Sequence, residues 1–243
     1  MQILSIGNSF SIDATTYLHD MAKRSGVDIQ TANLYIGGCP LEKHFRNFYS
    51  DERAYMLQYN GDATMFKVSI KEALLNRSWD VITLQQASHF SGYPDTYTPY
   101  IERLAEEIRA LCPKAKLVLH QTWAYEAFSE RVEKVAHFDT HHDMYHAVHD
   151  AYEIAAKAIH ADGIIPCGDV MYLLAETYDG PVHRDTFHAA FGIGRYALAM
   201  TWLHYLTGTD ITDNDFNPQE YPLTEEEIAL VKEIVLQFAP MAR

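Results

Sequence analysis

Ser9, Asp185 and His188 are the residues whose types and spacing could carry out covalent chemistry. A serine hydroxyl is a weak nucleophile until a base takes its proton, and an imidazole does this best when a carboxylate fixes its tautomer. In Asp185-Thr186-Phe187-His188 a carboxylate and an imidazole stand three positions apart in a polar loop. Asp185 can fold back onto the Nδ1–H of His188 and leave Nε2 to face Ser9. The competing assignment is a helix cap, because helical runs follow both Ser9 and Asp185.

The elements that must position these groups can be read from periodicity. Ile3 to Ile6 is an apolar run broken by Gly7, which predicts a first strand delivering Ser9 into the turn at its carboxyl end. Asp13 to Arg24 has a helical period with Gly26 after it. Asp28 to Ile36 predicts a second strand, running into Gly37-Gly38-Cys39-Pro40. Around Asn60-Gly61, residues 55–68 predict a hairpin that overhangs the strand ends. Trp79 to Leu84, Ala115 to His120 and Gly163 to Gly168 supply three further strands, the first ending in Gln85-Gln86-Ala87-Ser88-His89. Helices are predicted over 100–111, through 131–160, over 170–177 and over 189–206, and Thr224-Glu225-Glu226-Glu227 opens a final one with a capping box. The pattern predicts an α/β fold, a three-layer α/β/α sandwich with a mostly parallel five-stranded sheet, in one domain spanning 1–243. Ligands bind beyond the carboxyl ends of strands in such sheets, and there Ser9, the glycine pair, the two glutamines and the Asp-x-x-His loop all fall.

Composition narrows the function. With 243 residues, 48% of them hydrophobic, the chain can bury a large core. A formal net charge of −14 counts against nucleic acid or an anionic membrane as partner, since either needs a basic patch. No window approaches the roughly 18 apolar residues of a membrane span, and Met1 runs straight into the first strand, so a cytoplasmic location is expected. The three cysteines are widely spaced with no C-x-x-C pair and predict reduced thiols. No glycine-rich phosphate loop follows the first strand, and no cofactor is expected.

The ordered set of motifs resembles the SGNH superfamily of serine esterases and lipases. Gly7-Asn8-Ser9-Phe10-Ser11 is similar to its first block, Gly37-Gly38-Cys39 to the second, Leu84-Gln85-Gln86-Ala87-Ser88 to the third and Asp185-Thr186-Phe187-His188 to the fourth. Two departures stand out: Asn8 replaces a common aspartate, and Gln85-Gln86 replaces the usual G-x-N-D, as in an uncharacterised bacterial branch of the superfamily. The resemblance implies a flavodoxin-like fold and ester hydrolysis in which Ser9 attacks, His188 is the base and Asp185 orients it. It further implies an oxyanion hole from the N–H groups of Ser9 and Gly38 and the side chain of Gln85, with Gly37 and Gln86 as reserves. By position, His44, His120, Gln121, Trp123 and Tyr125 are either substrate contacts or a satisfied polar wall. Polar groups with scattered aromatics at the predicted strand ends suggest recognition of hydroxyls, hence a small-molecule or carbohydrate ester with a short acyl group, most simply acetyl.

Two other classes compete. A non-catalytic carbohydrate- or ligand-binding protein on the same fold would account for the altered third block. A metal-dependent hydrolase would use His142, His146 and His149, which share a helical face near Asp139, Asp143 and Asp150. The H-E-x-x-H pattern is missing from that face, and a polar helix surface with no metal is expected.

Overall fold

The computed structural model describes residues 1–241; residues 242–243 of the expected domain lie outside the described residues. In chain order the strands are β1 (Gln2–Gly7), β2 (Gln30–Tyr35), β3 (Tyr55–Tyr59), β4 (Asp62–Val68), β5 (Val81–Leu84), β6 (Lys116–His120) and β7 (Gly163–Ile165). The helices are α1 (Ser9–Thr15), α2 (Leu18–Arg24), α3 (Leu41–Ser50), α4 (Ile70–Asn76), α5 (Tyr100–Leu111), α6 (Glu130–Lys134), α7 (His141–Ile159), α8 (Cys167–Thr177), α9 (Ile193–Thr207) and α10 (Glu225–Val235).

One seven-stranded sheet runs β4-β3-β2-β1-β5-β6-β7. The five strands expected from sequence are parallel, and their order, with β1 between β2 and β5, is the doubly wound flavodoxin-like one. In this topology successive connections leave β1 in opposite directions, which opens a crevice at its carboxyl end. The turn carrying Ser9 lies at that switch point.

The hairpin corrects the five-strand expectation. Instead of overhanging the strand ends it joins the sheet, β3 pairing antiparallel to β2 through Ala32 with Tyr59 and Tyr35 with Met56, and β4 closing the edge. Asn60 and Gly61 both take positive φ, as their turn type requires.

Other boundaries shift for local reasons. The helix expected over 13–24 is two helices. The hydroxyls of Thr15 and Thr16 bond back to the carbonyls of Ser11 and Ile12, which competes with continuation of the helix. The histidine-rich stretch 131–160 is likewise interrupted between α6 and α7, where His137 is left-handed and Thr140 caps α7 through the N–H of Asp143. Pro166 ends β7 early, so Cys167 begins a helix.

The core runs along both faces of the sheet. Ile3, Leu4, Ile6, Leu34, Ile82, Leu84, Val118 and Leu119 are fully buried, the near-continuous apolar pattern of parallel strands covered on both sides. Helices α3, α4, α5 and α7 pack among themselves, and α1, α2, α8 and α10 pack around α9. Helix α9 buries Ile193, Tyr196 to His204 and Leu206, and so has apolar side chains on every face. Among the described residues no helix is long and apolar enough to cross a membrane.

Candidate active site

Ser9 is the first residue of α1, one position past the cap. The cap is Asn8, whose Oδ1 accepts from the Phe10 N–H at 3.0 Å, so Ser9 keeps its hydroxyl for another partner. That partner is His188: Nε2 lies 2.7 Å from Ser9 Oγ. On the other side of the ring, Nδ1 lies 2.7 Å from Asp185 Oδ2, while Asp185 Oδ1 accepts the His188 backbone N–H at 2.9 Å. The fold-back that puts one carboxylate on both groups passes through Thr186, which is left-handed with φ 74°. Partial burial pushes the Asp185 carboxyl up, but hydrogen bonds from the His188 ring and backbone, with the charges of His188 and Arg184, outweigh it and hold the carboxyl below its ordinary value. The structure therefore brings Ser9, His188 and Asp185 into one hydrogen-bonded line.

The turn before Ser9 is built without spare space. A Cβ on Gly7 would lie 2.4 Å from Ser11 Oγ and 2.7 Å from Gln85 Oε1, so only glycine fits. Ser11 Oγ donates at 2.7 Å to Asn33 Oδ1 of β2. Gln85 Nε2 donates to Asn8 Oδ1 at 2.8 Å, and Asn8 Nδ2 reaches the Cys39 carbonyl at 3.3 Å. The ends of β1, β2 and β5 are thus laced together through Asn8.

This lacing corrects several sequence expectations. Gln85 is buried and spends its carboxamide on Asn8 and on His120, whose Nδ1 lies 2.9 Å from Gln85 Oε1. Its reserve, Gln86, is buried too: Oε1 accepts from the N–H groups of Leu41 and Ala87, and Nε2 donates to the carbonyl and hydroxyl of Thr96. Each glutamine braces loops, as a buried primary amide must when its donors and acceptors are taken out of water. The pocket candidates are interior as well. His44 pairs with the Tyr55 hydroxyl, Trp123 Nε1 donates to the Phe187 carbonyl, Tyr125 OH meets Ser88 Oγ, and Gln121 Oε1 accepts the N–H groups opening α8. With His120, all are nearly solvent-free, so they form walls behind the site.

Gly38 does reach the surface. It is left-handed at φ 58°, and among the described residues its N–H has no hydrogen-bond partner. Ser9, at the helix start, has an N–H with no intrahelical acceptor either.

Sequence reasoning missed the residue that fixes the Asp185–His188 loop. Asp13, one helical turn after Ser9, is completely buried. It accepts from Arg184 Nη1 at 2.9 and 3.0 Å, from Arg195 Nε at 2.8 Å and from the Ala189 N–H at 3.2 Å. Arg184 and Ala189 flank the Asp185–His188 segment, and His183 bridges Ala189 across its base. One carboxylate thus ties both arms of the loop to the helix carrying Ser9. The only sequence signal was an acidic residue on an otherwise apolar helical face. Asp13→Asn removes the charge facing two partly buried guanidinium groups. It should cost about 3 kcal/mol in urea unfolding and, by loosening His188 against Ser9, lower kcat on any active substrate about 100-fold. A variant within threefold of wild type in kcat would show that the loop holds itself.

The three histidines of the competing metal reading, His142, His146 and His149, form no common ligand group among the described residues. His142 Nδ1 lies 2.7 Å from the Tyr172 hydroxyl and His149 Nδ1 lies 3.0 Å from Asp169 Oδ1, separate partners along α8.

Fold and site together give a doubly wound sheet with a serine, a histidine and an aspartate in one hydrogen-bonded line at its switch point. The chain belongs to the DUF4886 family, a domain of unknown function that matches residues 2–233. A DUF4886 protein from Bacteroides uniformis ATCC 8492 superposes with a TM-score of 0.87 at 30% identity, over 98% of this chain and 93% of that one. A Slackia heliotrinireducens protein assigned as an SGNH hydrolase gives 0.59 at 23% identity, over 84% and 97%. Axe2, an acetylxylan esterase from Geobacillus stearothermophilus, gives 0.56 at 14% identity, over 84% and 92%. These last two share the fold. Among curated proteins no sequence match was found.

Proposed function

We propose that the protein is a carboxylic ester hydrolase that works through Ser9, His188 and Asp185. The observation that carries this reading is the pair of 2.7 Å contacts linking Ser9 Oγ to His188 Nε2 and His188 Nδ1 to Asp185 Oδ2. In the first half-reaction Ser9 Oγ attacks the ester carbonyl while His188 Nε2 takes its proton. The negative charge that develops on the carbonyl oxygen is held by the N–H groups of Ser9 and Gly38. The imidazolium then protonates the departing alcohol, leaving an acyl group on Ser9. Water repeats the sequence, losing its proton to His188 and releasing the acid. Asp185 stays ionised throughout and stabilises the imidazolium; no metal or cofactor takes part in these steps. Gln85 acts at one remove, holding Asn8 and hence the turn of Ser9.

The acyl group is proposed to be short, acetyl first, on a polyhydroxylated alcohol such as a sugar. The buried glutamines and aromatics no longer support this. What supports it is the surface beside the imidazole: the Phe187 ring lies tilted against His188 with 3.8 Å between ring centroids, and the Arg131 guanidinium is 4.2 Å from the Phe187 centroid. A cation on an aromatic face suits a hydroxylated ligand better than an alkyl chain. The fold likeness to an acetylxylan esterase agrees. Measuring kcat/KM for p-nitrophenyl esters from acetate to decanoate should show no rise with chain length, whereas an apolar groove would add up to roughly 0.8 kcal/mol per buried methylene. Acetylated xylose and glucose should then be cleaved in preference to the acetate of a simple alcohol. A rise with chain length would contradict the short-acyl reading.

A further inference from the structure

Helix α7 opens with His141 and His142, which face Glu176 of α8 beside a surface cavity of about 450 Å3. One donor atom from each of the three residues lies within 4.8 Å of the others. His141 is 6% exposed, and both its ring nitrogens meet acceptors: Nδ1 lies 3.3 Å from the Tyr125 carbonyl and Nε2 lies 3.4 Å from Glu176 Oε1. A neutral imidazole has a single N–H, so either tautomer leaves a nitrogen lone pair pressed against an oxygen. A cation resolves the conflict, either a second proton or a metal ion between Nε2 and the carboxylate.

His142 separates these two solutions. Its Nδ1 lies 2.7 Å from the Tyr172 hydroxyl oxygen; in the tautomer whose Nδ1–H donates to that oxygen the ring is oriented and Nε2 is left as a lone-pair donor. A proton on His141 has no use for that third donor, whereas a metal ion does. Both histidines also show the outer contact on the second ring nitrogen that orients metal-ligating imidazoles, here a backbone carbonyl and a phenol. We propose that His141, His142 and Glu176 bind a divalent cation of zinc type. Two imidazoles and one carboxylate suit such an ion, with remaining positions open to water and to the cavity that Glu130, Glu133 and Asp139 also line.

The ion's role is structural. His141 holds the Tyr125 carbonyl, and the Tyr125 ring packs edge-on against Phe187, the neighbour of His188, at 5.6 Å. A filled site therefore steadies the segment behind the catalytic loop without touching the reacting groups. The proposal does not depend on the role of Ser9.

The test is calorimetric titration of zinc into full-length protein stripped with a chelator. One equivalent should bind with a dissociation constant of about 1 μM or tighter. His142→Ala and Glu176→Gln, both at exposed positions, should each weaken binding at least about tenfold, while His146→Ala, one turn further along α7, leaves it unchanged. Zinc at about 100 times the dissociation constant should raise Tm by roughly 5 to 10 °C, a shift lost in His142→Ala. Absence of stoichiometric binding, or binding and a Tm shift that His142→Ala leaves intact, overturns the proposal.

Discussion

His188→Ala is expected to lower kcat by about four orders of magnitude or more on any ester the protein hydrolyses. Under the proposed mechanism the substitution removes the acceptor of the Ser9 proton and the donor to the leaving alcohol in one change, and among the described residues no other ring nitrogen lies within hydrogen-bond distance of Ser9 Oγ. It should leave the fold in place, because the loop is held by contacts that do not involve the imidazole. Asp13 grips Arg184 and the Ala189 N–H, Trp123 holds the Phe187 carbonyl, and Glu126 donates its N–H to the Thr186 carbonyl. Steady-state kinetics with p-nitrophenyl acetate, beside circular dichroism of the same preparation, checks both halves. Activity within tenfold of wild type in a folded His188→Ala protein would remove His188 from the mechanism.

Acid should unfold the protein well above the range in which carboxylates titrate. Burial lowers the pKa of His44 and His120 to about 3 and that of His183 to about 4, Lys43 adding to the effect at His44 and the Ala124 carbonyl opposing it at His183. Among the described residues each ring also has one nitrogen with no hydrogen-bond partner, so a second proton would gain no acceptor there. In the unfolded chain the same groups titrate near about 6.5. Between those values the unfolded state binds more protons than the native one, so stability is full above about pH 6.5 and falls as pH drops towards 4. Each such histidine can contribute up to about 1.4 kcal/mol per pH unit inside the window. Urea unfolding at pH 7.5, 6.5 and 5.5 should therefore show a loss of about 3 kcal/mol or more over the lower interval, with uptake of two to three protons. Stability unchanged from pH 7.5 to 5.5 would mean that these rings find partners or open to water at little cost.

The parallel sheet was legible because its strands are buried on both faces and read as apolar runs, each ending in glycine, amide or histidine. The Asp185–His188 fold-back was legible because both groups lie three residues apart in a loop. What sequence could not reveal depends on contacts between distant segments. Gln85 and Gln86 stand at a strand end, where substrate donors and structural braces have the same composition; only the positions of Asn8, His120, Leu41 and Thr96 decide between them. The polar cluster His120-Gln121-Thr122-Trp123 was ambiguous for the same reason, and its groups are buried, as a satisfied wall would be. Asp13 was silent because a buried carboxylate shows its purpose only when its arginines, more than 170 positions on, arrive beside it. The hairpin was visible from Asn60-Gly61, but its edge pairing to β2 was not, since a hairpin signal fixes the turn and not the neighbour.

The most direct measurement is reaction with a fluorophosphonate probe followed by peptide mapping in the mass spectrometer. Such a probe phosphonylates a serine whose hydroxyl is activated by an adjacent base, and the 2.7 Å contact to His188 makes Ser9 that residue. The account predicts one adduct, on Ser9, abolished by Ser9→Ala and strongly slowed by His188→Ala. An adduct on another serine, or none in a preparation that hydrolyses esters, would contradict it.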